Sequence, residues 1–310
     1  MHILITGGSG YIGSVLVPLL LDKGHTVTVV DNLFYNQTTL LHHLDNPNLT
    51  FIKGDCRDET LIKEQLKTAD AILPLACLVG APLCKQDPVG AQTINFDAAN
   101  FIVQNTSKNQ KIVFPNTNSG YGIGESGMYH TEESPLNPIS IYGRLKVDLE
   151  DRILDSGNGV SFRFATVFGV SPRLRLDLLV NDFTYRATHD RSVVLFESHF
   201  KRNYLHVKDA AKAFIHTLDN YEAMNNQAYN VGLSDANLSK FELCEVIKSV
   251  VGDFEIICSE ISEDPDKRNY IVSNDKIEAT GYKPDVSLKD GIVGLYKAFK
   301  AMPRNPYGNM

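Results

Sequence analysis

Apolar runs of four to six residues alternate with stretches of helical spacing through the first half of the chain. Residues 2–6 are apolar and β-branched, and a glycine cluster follows them. Residues 11–21 carry apolar side chains at helical spacing and lead to Gly24, a helix-stop residue. Further apolar runs fall at 26–30, 50–53, 71–75, 111–115 and 160–165. Runs that are apolar throughout, rather than alternating, belong to strands buried on both faces. With helix-length gaps for crossovers, they predict a parallel sheet covered by helices. From about Val170 the runs shorten, polar segments intervene, and 262–269 (SEDPDKRN) reads as a charged loop. The pattern predicts a first region at 1–166, to which 199–224 returns. Residues 167–198 and 225–310 are expected to form a smaller mixed α/β region that binds substrate.

Charge narrows the partners. The 310 residues carry a formal charge of −7, which opposes non-specific binding to nucleic acid or to an anionic membrane. No apolar run approaches the ~20 residues of a membrane span, and MHILITGG lacks the features of a signal peptide. A cytoplasmic protein with no nucleic-acid or membrane partner is expected. Cys56, Cys77, Cys84, Cys244 and Cys258 have no CxxC spacing, so each is expected as a small buried hydrophobe in a reducing compartment. The histidines show no ligand spacing, and no metal site is predicted. Neither a GxSxG elbow nor HExxH occurs, so hydrolase readings lack support.

Gly7-Gly8-Ser9-Gly10-Tyr11-Ile12-Gly13 lies between a predicted strand and a predicted helix. Glycine lets the backbone turn tightly and approach a pyrophosphate, and the helix start offers N–H groups to it. Asp31 ends the next strand, where an acid accepts hydrogen bonds from adenosine ribose hydroxyls and repels a 2′-phosphate. Together these predict a Rossmann-type, doubly wound sheet that binds NAD rather than NADP. Asn32 adjoins Asp31. Asp55 and Cys56 close a further strand, where the acid can accept from the adenine amino group. Leu75-Ala76-Cys77 offers small residues where backbone passes a ribose. Asn95 completes the expected cofactor contacts.

Tyr142 and Lys146 are four apart in a segment of helical spacing and share a face. A free tyrosine, with a pKa of about 10, is a poor base. A nearby ammonium and a cationic nicotinamide favour its phenolate. Tyr142 is then a candidate base for a sugar hydroxyl whose carbon loses hydride, with Lys146 also holding the nicotinamide ribose and Thr117 bonding the same oxygen.

These segments resemble the extended short-chain dehydrogenases/reductases of the NAD-dependent sugar epimerase/dehydratase family over nearly the whole chain. The glycine loop, Asp31-Asn32, Gly54-Asp55, Thr117 before Tyr121-Gly122, and Tyr142-Gly143-xx-Lys146 match family motifs. The resemblance implies a nucleotide-sugar substrate and a homodimer packed through helices near 97–107 and 139–155, with Phe101 and Leu149 at the interface. Family 4,6-dehydratases carry an Asp-Glu pair immediately after the Ser/Thr, and related decarboxylases a Glu. Asn118-Ser119 stands here, which disfavours elimination and leaves Asn118 and Ser119 as candidate substrate contacts.

Residues 114–125 and 168–187 are similar to bacterial capsular enzymes that oxidise C4 of a GDP-linked heptose. That likeness favours net oxidation to a 4-keto sugar, with a 2-keto acid as a co-substrate that re-oxidises NADH. The alternative is a UDP-hexose 4-epimerase with a transient 4-keto intermediate; a non-enzymatic NAD-binding regulator is a third reading. Arg173, Arg175, Arg202 and Arg268 are expected to pair with the substrate's nucleotide diphosphate. Asn181, on a predicted helix, is expected to meet its nucleotide.

Overall fold

The strands, in chain order, are β1 (His2–Thr6), β2 (Thr26–Asp31), β3 (Leu49–Lys53), β4 (Ala71–Pro74), β5 (Lys111–Thr117), β6 (Tyr129–His130), β7 (Gly159–Phe164), β8 (Thr166–Phe168), β9 (Ser192–Phe196), β10 (Lys201–His206), β11 (Gln227–Val231), β12 (Asn237–Ser239), β13 (Glu255–Ser259) and β14 (Ile271–Val272). The computed structural model describes residues 1–124, 127–259 and 268–302. Glu125, the charged loop at 262–267 and residues 303–310 lie outside the described residues.

Seven strands form one parallel sheet in the order β11-β7-β5-β4-β1-β2-β3. Ile3, Leu4 and Ile5 of β1 are fully buried, as a central strand covered on both faces requires. Strand order reverses between β1 and β4. The loops leaving those two strands part there, and the crevice between them is where such sheets bind ligands.

The predicted runs are strands, with small shifts. The first helix spans Gly13–Asp22 and ends before Gly24, whose φ is +78°. β5 runs on two residues past its apolar run, to Thr117. β11 differs more. It lies in the stretch assigned to the smaller region, yet it pairs with β7 and closes the large sheet. Its Tyr229 and Val231 are buried in the first core, and Ile277 and Tyr282 join them from still later in the chain.

A second core gathers Phe168, Val180, Phe183, Leu243, Ile247, Leu295 and Phe299. β10 joins the two cores, because neighbouring side chains of a strand point to opposite faces. Leu205 belongs to the first core and Tyr204 to the second. The helix Val207–Asp219 then packs on Gly13–Asp22. Its N-cap is His206, whose Nδ1 accepts from the Lys208 N–H at 3.3 Å.

Two expectations need correcting. Leu149 is fully buried with Phe114 and Ile153 inside the protomer, so it cannot form a contact with another copy. Cys258 is exposed, and Cys56 and Cys77 are half-buried, where all five cysteines were expected to be buried. No helix among the described residues is long and apolar enough to cross a membrane.

Candidate active site

One cavity of about 1200 Å³ opens at the reversal of strand order. Gly7, Gly10, Tyr11, Ile12 and Gly13 line it. Gly7 adopts φ +74°, and a Cβ there would lie 2.6 Å from the Ala76 backbone nitrogen. Only glycine therefore lets the loop after β1 touch the loop after β4. A Cβ on Gly13 would sit 2.5 Å from the Gly8 carbonyl oxygen, so the loop closes directly on the helix start. No side chain caps that helix N-terminus, which leaves it to a ligand's phosphates.

Asp31 and Asn32 are on the wall. The Asp31 carboxylate is 6% exposed and accepts from the Ser9 N–H at 2.9 Å and the Leu33 N–H at 2.8 Å. Burial raises its pKa against the pull of those bonds. Cys56 also lines the cavity, its thiol pushed up to about 12 by burial. Asp55 does not line it: the Arg57 guanidinium grips both its oxygens and holds its carboxyl below the usual range. Leu75, Ala76 and Cys77 form another part of the wall. Asn95 stands behind that wall. Its Oδ1 accepts from the Leu78 N–H at 2.8 Å and its Nδ2 donates to the Leu78 oxygen at 2.9 Å, so it shapes the loop without lining the cavity.

Ser140 caps the helix Ile141–Asp155, which carries Tyr142 and Lys146 onto the same cavity. Lys146 is 3% exposed, donates to the Pro115 oxygen at 2.8 Å and lies over the Phe114 ring. Burial lowers its pKa, which Cys77 beside it opposes. Thr117 lines the cavity from the end of β5. Its hydroxyl lies 2.9 Å from Ser119 Oγ, which also accepts a hydrogen bond from Arg268. Burial raises the Tyr142 pKa, with Arg175 and Arg268 pulling it down.

Ser119, Arg173, Arg175, Arg202 and Arg268 all line the cavity. Arg173 stacks over Tyr35 at 4.3 Å, Arg175 pairs with Asp177, and Arg202 lies over Tyr270. Asn118 and Asn181 do not line it. Asn118 is fully buried behind the wall. Asn181 accepts from the Gly169 N–H and donates to the Arg175 oxygen, so it fixes the loop that bears the arginines. Sequence reasoning missed Lys240, which is 2% exposed and on the wall. A signal for it exists: Ser239 and Glu242 form a capping box, which puts Lys240 in a first helical turn, where the helix dipole disfavours a cation. Among the described residues no three His, Cys, Asp or Glu side chains are placed to hold a metal.

Residues 3–232 match the NAD dependent epimerase/dehydratase family. The chain belongs to that family. It is an enzyme, and its cofactor is NAD. The site fits this cofactor: a cradle that only glycine permits and the Asp31 carboxylate bonded to it line one cavity. Among family members, the putative UDP-glucose 4-epimerase of Methanocaldococcus jannaschii is 28% identical over 302 residues, covering 94% of this chain and 95% of its own. The low-salt glycan biosynthesis protein Agl12 of Haloferax volcanii is 30% identical over 309 residues, covering 94% and 96%. The NAD complex of the Thermus thermophilus UDP-glucose 4-epimerase shares the fold, with a TM-score of 0.83 at 24% identity over 97% of this chain and 99% of that one. The expected likeness to GDP-heptose oxidation in capsule synthesis is not supported; the relatives include UDP-sugar epimerases and decarboxylases.

Proposed function

We propose that this enzyme interconverts nucleotide-linked hexoses that differ in configuration at C4, with a UDP-sugar as substrate. The observation that carries the reading is the make-up of the wall around Tyr142. Tyr142, Lys146 and Thr117 share it, and the two positions after Thr117 bring no carboxylate. Among the described lining residues, the acids are Asp31, Asp177 and Asp182. Asp31 ends β2, Asp177 pairs with Arg175, and Asp182 pairs with Arg186. None is set beside Thr117 as the acid-base pair of an elimination would be. Relatives named as UDP-sugar 4-epimerases support the same reading.

NAD supplies the acceptor, and then the donor, of the C4 hydride. Tyr142 takes the C4 hydroxyl proton and returns it when the 4-keto sugar is reduced on its other face. Thr117 holds the same oxygen by a hydrogen bond. Lys146, anchored on the Pro115 oxygen, sits one helical turn from the phenol and holds the nicotinamide ribose. Arg202, Arg268 and Lys240 offer positive charge to the nucleotide diphosphate. The sugar would be neither oxidised nor reduced overall, so the reading needs no 2-keto acid.

The test is product analysis by mass spectrometry and NMR. The enzyme is incubated with NAD+ and, in turn, UDP-glucose, UDP-galactose, UDP-N-acetylglucosamine and UDP-glucuronic acid. An inverted C4 at unchanged mass is expected. A product lighter by two hydrogens, with a carbonyl at C4, would replace this reading by a net dehydrogenase.

A further inference from the structure

Tyr142 and Thr117 reach one substrate oxygen from different elements, so the chemistry depends on how the helix Ile141–Asp155 is fixed against the end of β5. Lys146 makes one link, through the Pro115 oxygen. The next residue makes a second. Asn116 is 4% exposed, and its Nδ2 donates to Glu150 Oε2 at 2.7 Å while its Oδ1 accepts from the Thr117 N–H at 2.8 Å.

Glu150 lies one turn beyond Lys146 and two beyond Tyr142, on the same helical face. It is 1% exposed. From β7, Ser161 Oγ donates to Oε2 at 2.6 Å, and Arg163 donates to Oε1 through Nη2 at 2.7 Å and Nε at 3.0 Å. The carboxylate is thus immobile, and Asn116 spans from it to the backbone that sets Thr117. Moving either end would strand a buried polar group, which makes the link stiff.

We propose that Asn116 is a positioning residue. Its side-chain amide clasps Glu150 of the catalytic helix to the Thr117 backbone and so sets the angle at which the Thr117 hydroxyl and the Tyr142 phenol meet the substrate. The proposal rests on the C4 chemistry above, because it acts through the oxygen those two groups share.

A double-mutant cycle tests it. Asn116→Ala should lower kcat by about tenfold to a hundredfold, the range for a small misplacement of reacting groups, with little change in KM. Because Asn116 acts through Thr117, the same substitution in a Thr117→Ala background should cost less than about twofold. Equal losses in both backgrounds, or a loss confined to KM, would overturn the proposal. If Asn116→Ala does not fold, Asn116→Ser carries the same cycle. If the wild-type enzyme converts none of the UDP-sugars, the C4 reading fails on its own. The clasp is then read from amide hydrogen exchange over 115–121, which Asn116→Ala should speed by about tenfold. Unchanged exchange would overturn the clasp.

Discussion

At the scale of single residues, two glycines of similar backbone geometry separate strain from function. Gly7 and Gly24 have φ of +74° and +78°, but a Cβ on Gly24 meets nothing within 4 Å, whereas one on Gly7 strikes the Ala76 backbone. Gly24→Ala should cost only the left-handed strain, about 1–2 kcal/mol, and leave NAD affinity unchanged by calorimetry. Gly7→Ala should add a main-chain collision at the cofactor cradle and weaken NAD binding by more than about tenfold, or about 1.4 kcal/mol. His206 gives a pH dependence. Burial pushes its pKa down to about 4, with Lys208 adding to the effect. The unfolded chain takes up the proton near pH 6.5 and the native state only near 4, so stability falls as pH drops through that window. The contribution is about 3 kcal/mol in full. His206→Asn keeps a good helix cap and should flatten the loss of Tm between pH 7 and 5; an unchanged slope would assign the acid sensitivity to other groups.

At the scale of elements, the helix Ile141–Asp155 is tied to β7 by an ion pair inside the protein. Arg163 is bidentate on Glu150, with side-chain exposures of 7% and 1%. Arg163→Met removes one partner and leaves a buried carboxylate, so a destabilisation of about 3–5 kcal/mol is expected in urea unfolding. A cost under about 1 kcal/mol would mean that Ser161 and Asn116 suffice to hold the charge. Continuous apolar runs made the parallel strands legible, and the same reading stopped short at strand ends. β5 outlasts its apolar run because Asn116, although polar, is buried and paired with Glu150. The glycine loop and the Tyr142–Lys146 pair, which the structure sets on one cavity, are legible as groups because each spacing is local. Asn95 and Asn181 were not, since an amide spent on neighbouring backbone and one facing a ligand look alike in sequence. β11 was misplaced because its pairing with β7 spans more than sixty residues.

At the scale of the whole molecule, the loop after β8 is fastened to the glycine loop. Ser171 Oγ donates to the Tyr11 carbonyl oxygen at 2.7 Å and lies 3.0 Å from Ser14 Oγ, while the Tyr11 hydroxyl donates to the Gly169 oxygen at 2.7 Å. Ser14 and Tyr11 belong to the first helix and its loop, and Arg173 and Arg175 follow directly on the other side. A phosphate settling on the glycine loop therefore steadies the stretch that presents the arginines. NAD+ should raise the affinity for UDP, and UDP should raise the affinity for NAD+ by the same factor, about fivefold or more, because coupling between two sites is reciprocal. Ser171 does not itself line the cavity, and Ser171→Ala cuts two of the three bonds, so it should bring that factor towards one. Titrations of UDP with and without saturating NAD+, on both proteins, measure the factor directly. The same coupling in Ser171→Ala would mean that the two regions communicate through the sheet or through β10, which enters both cores, rather than across this seam.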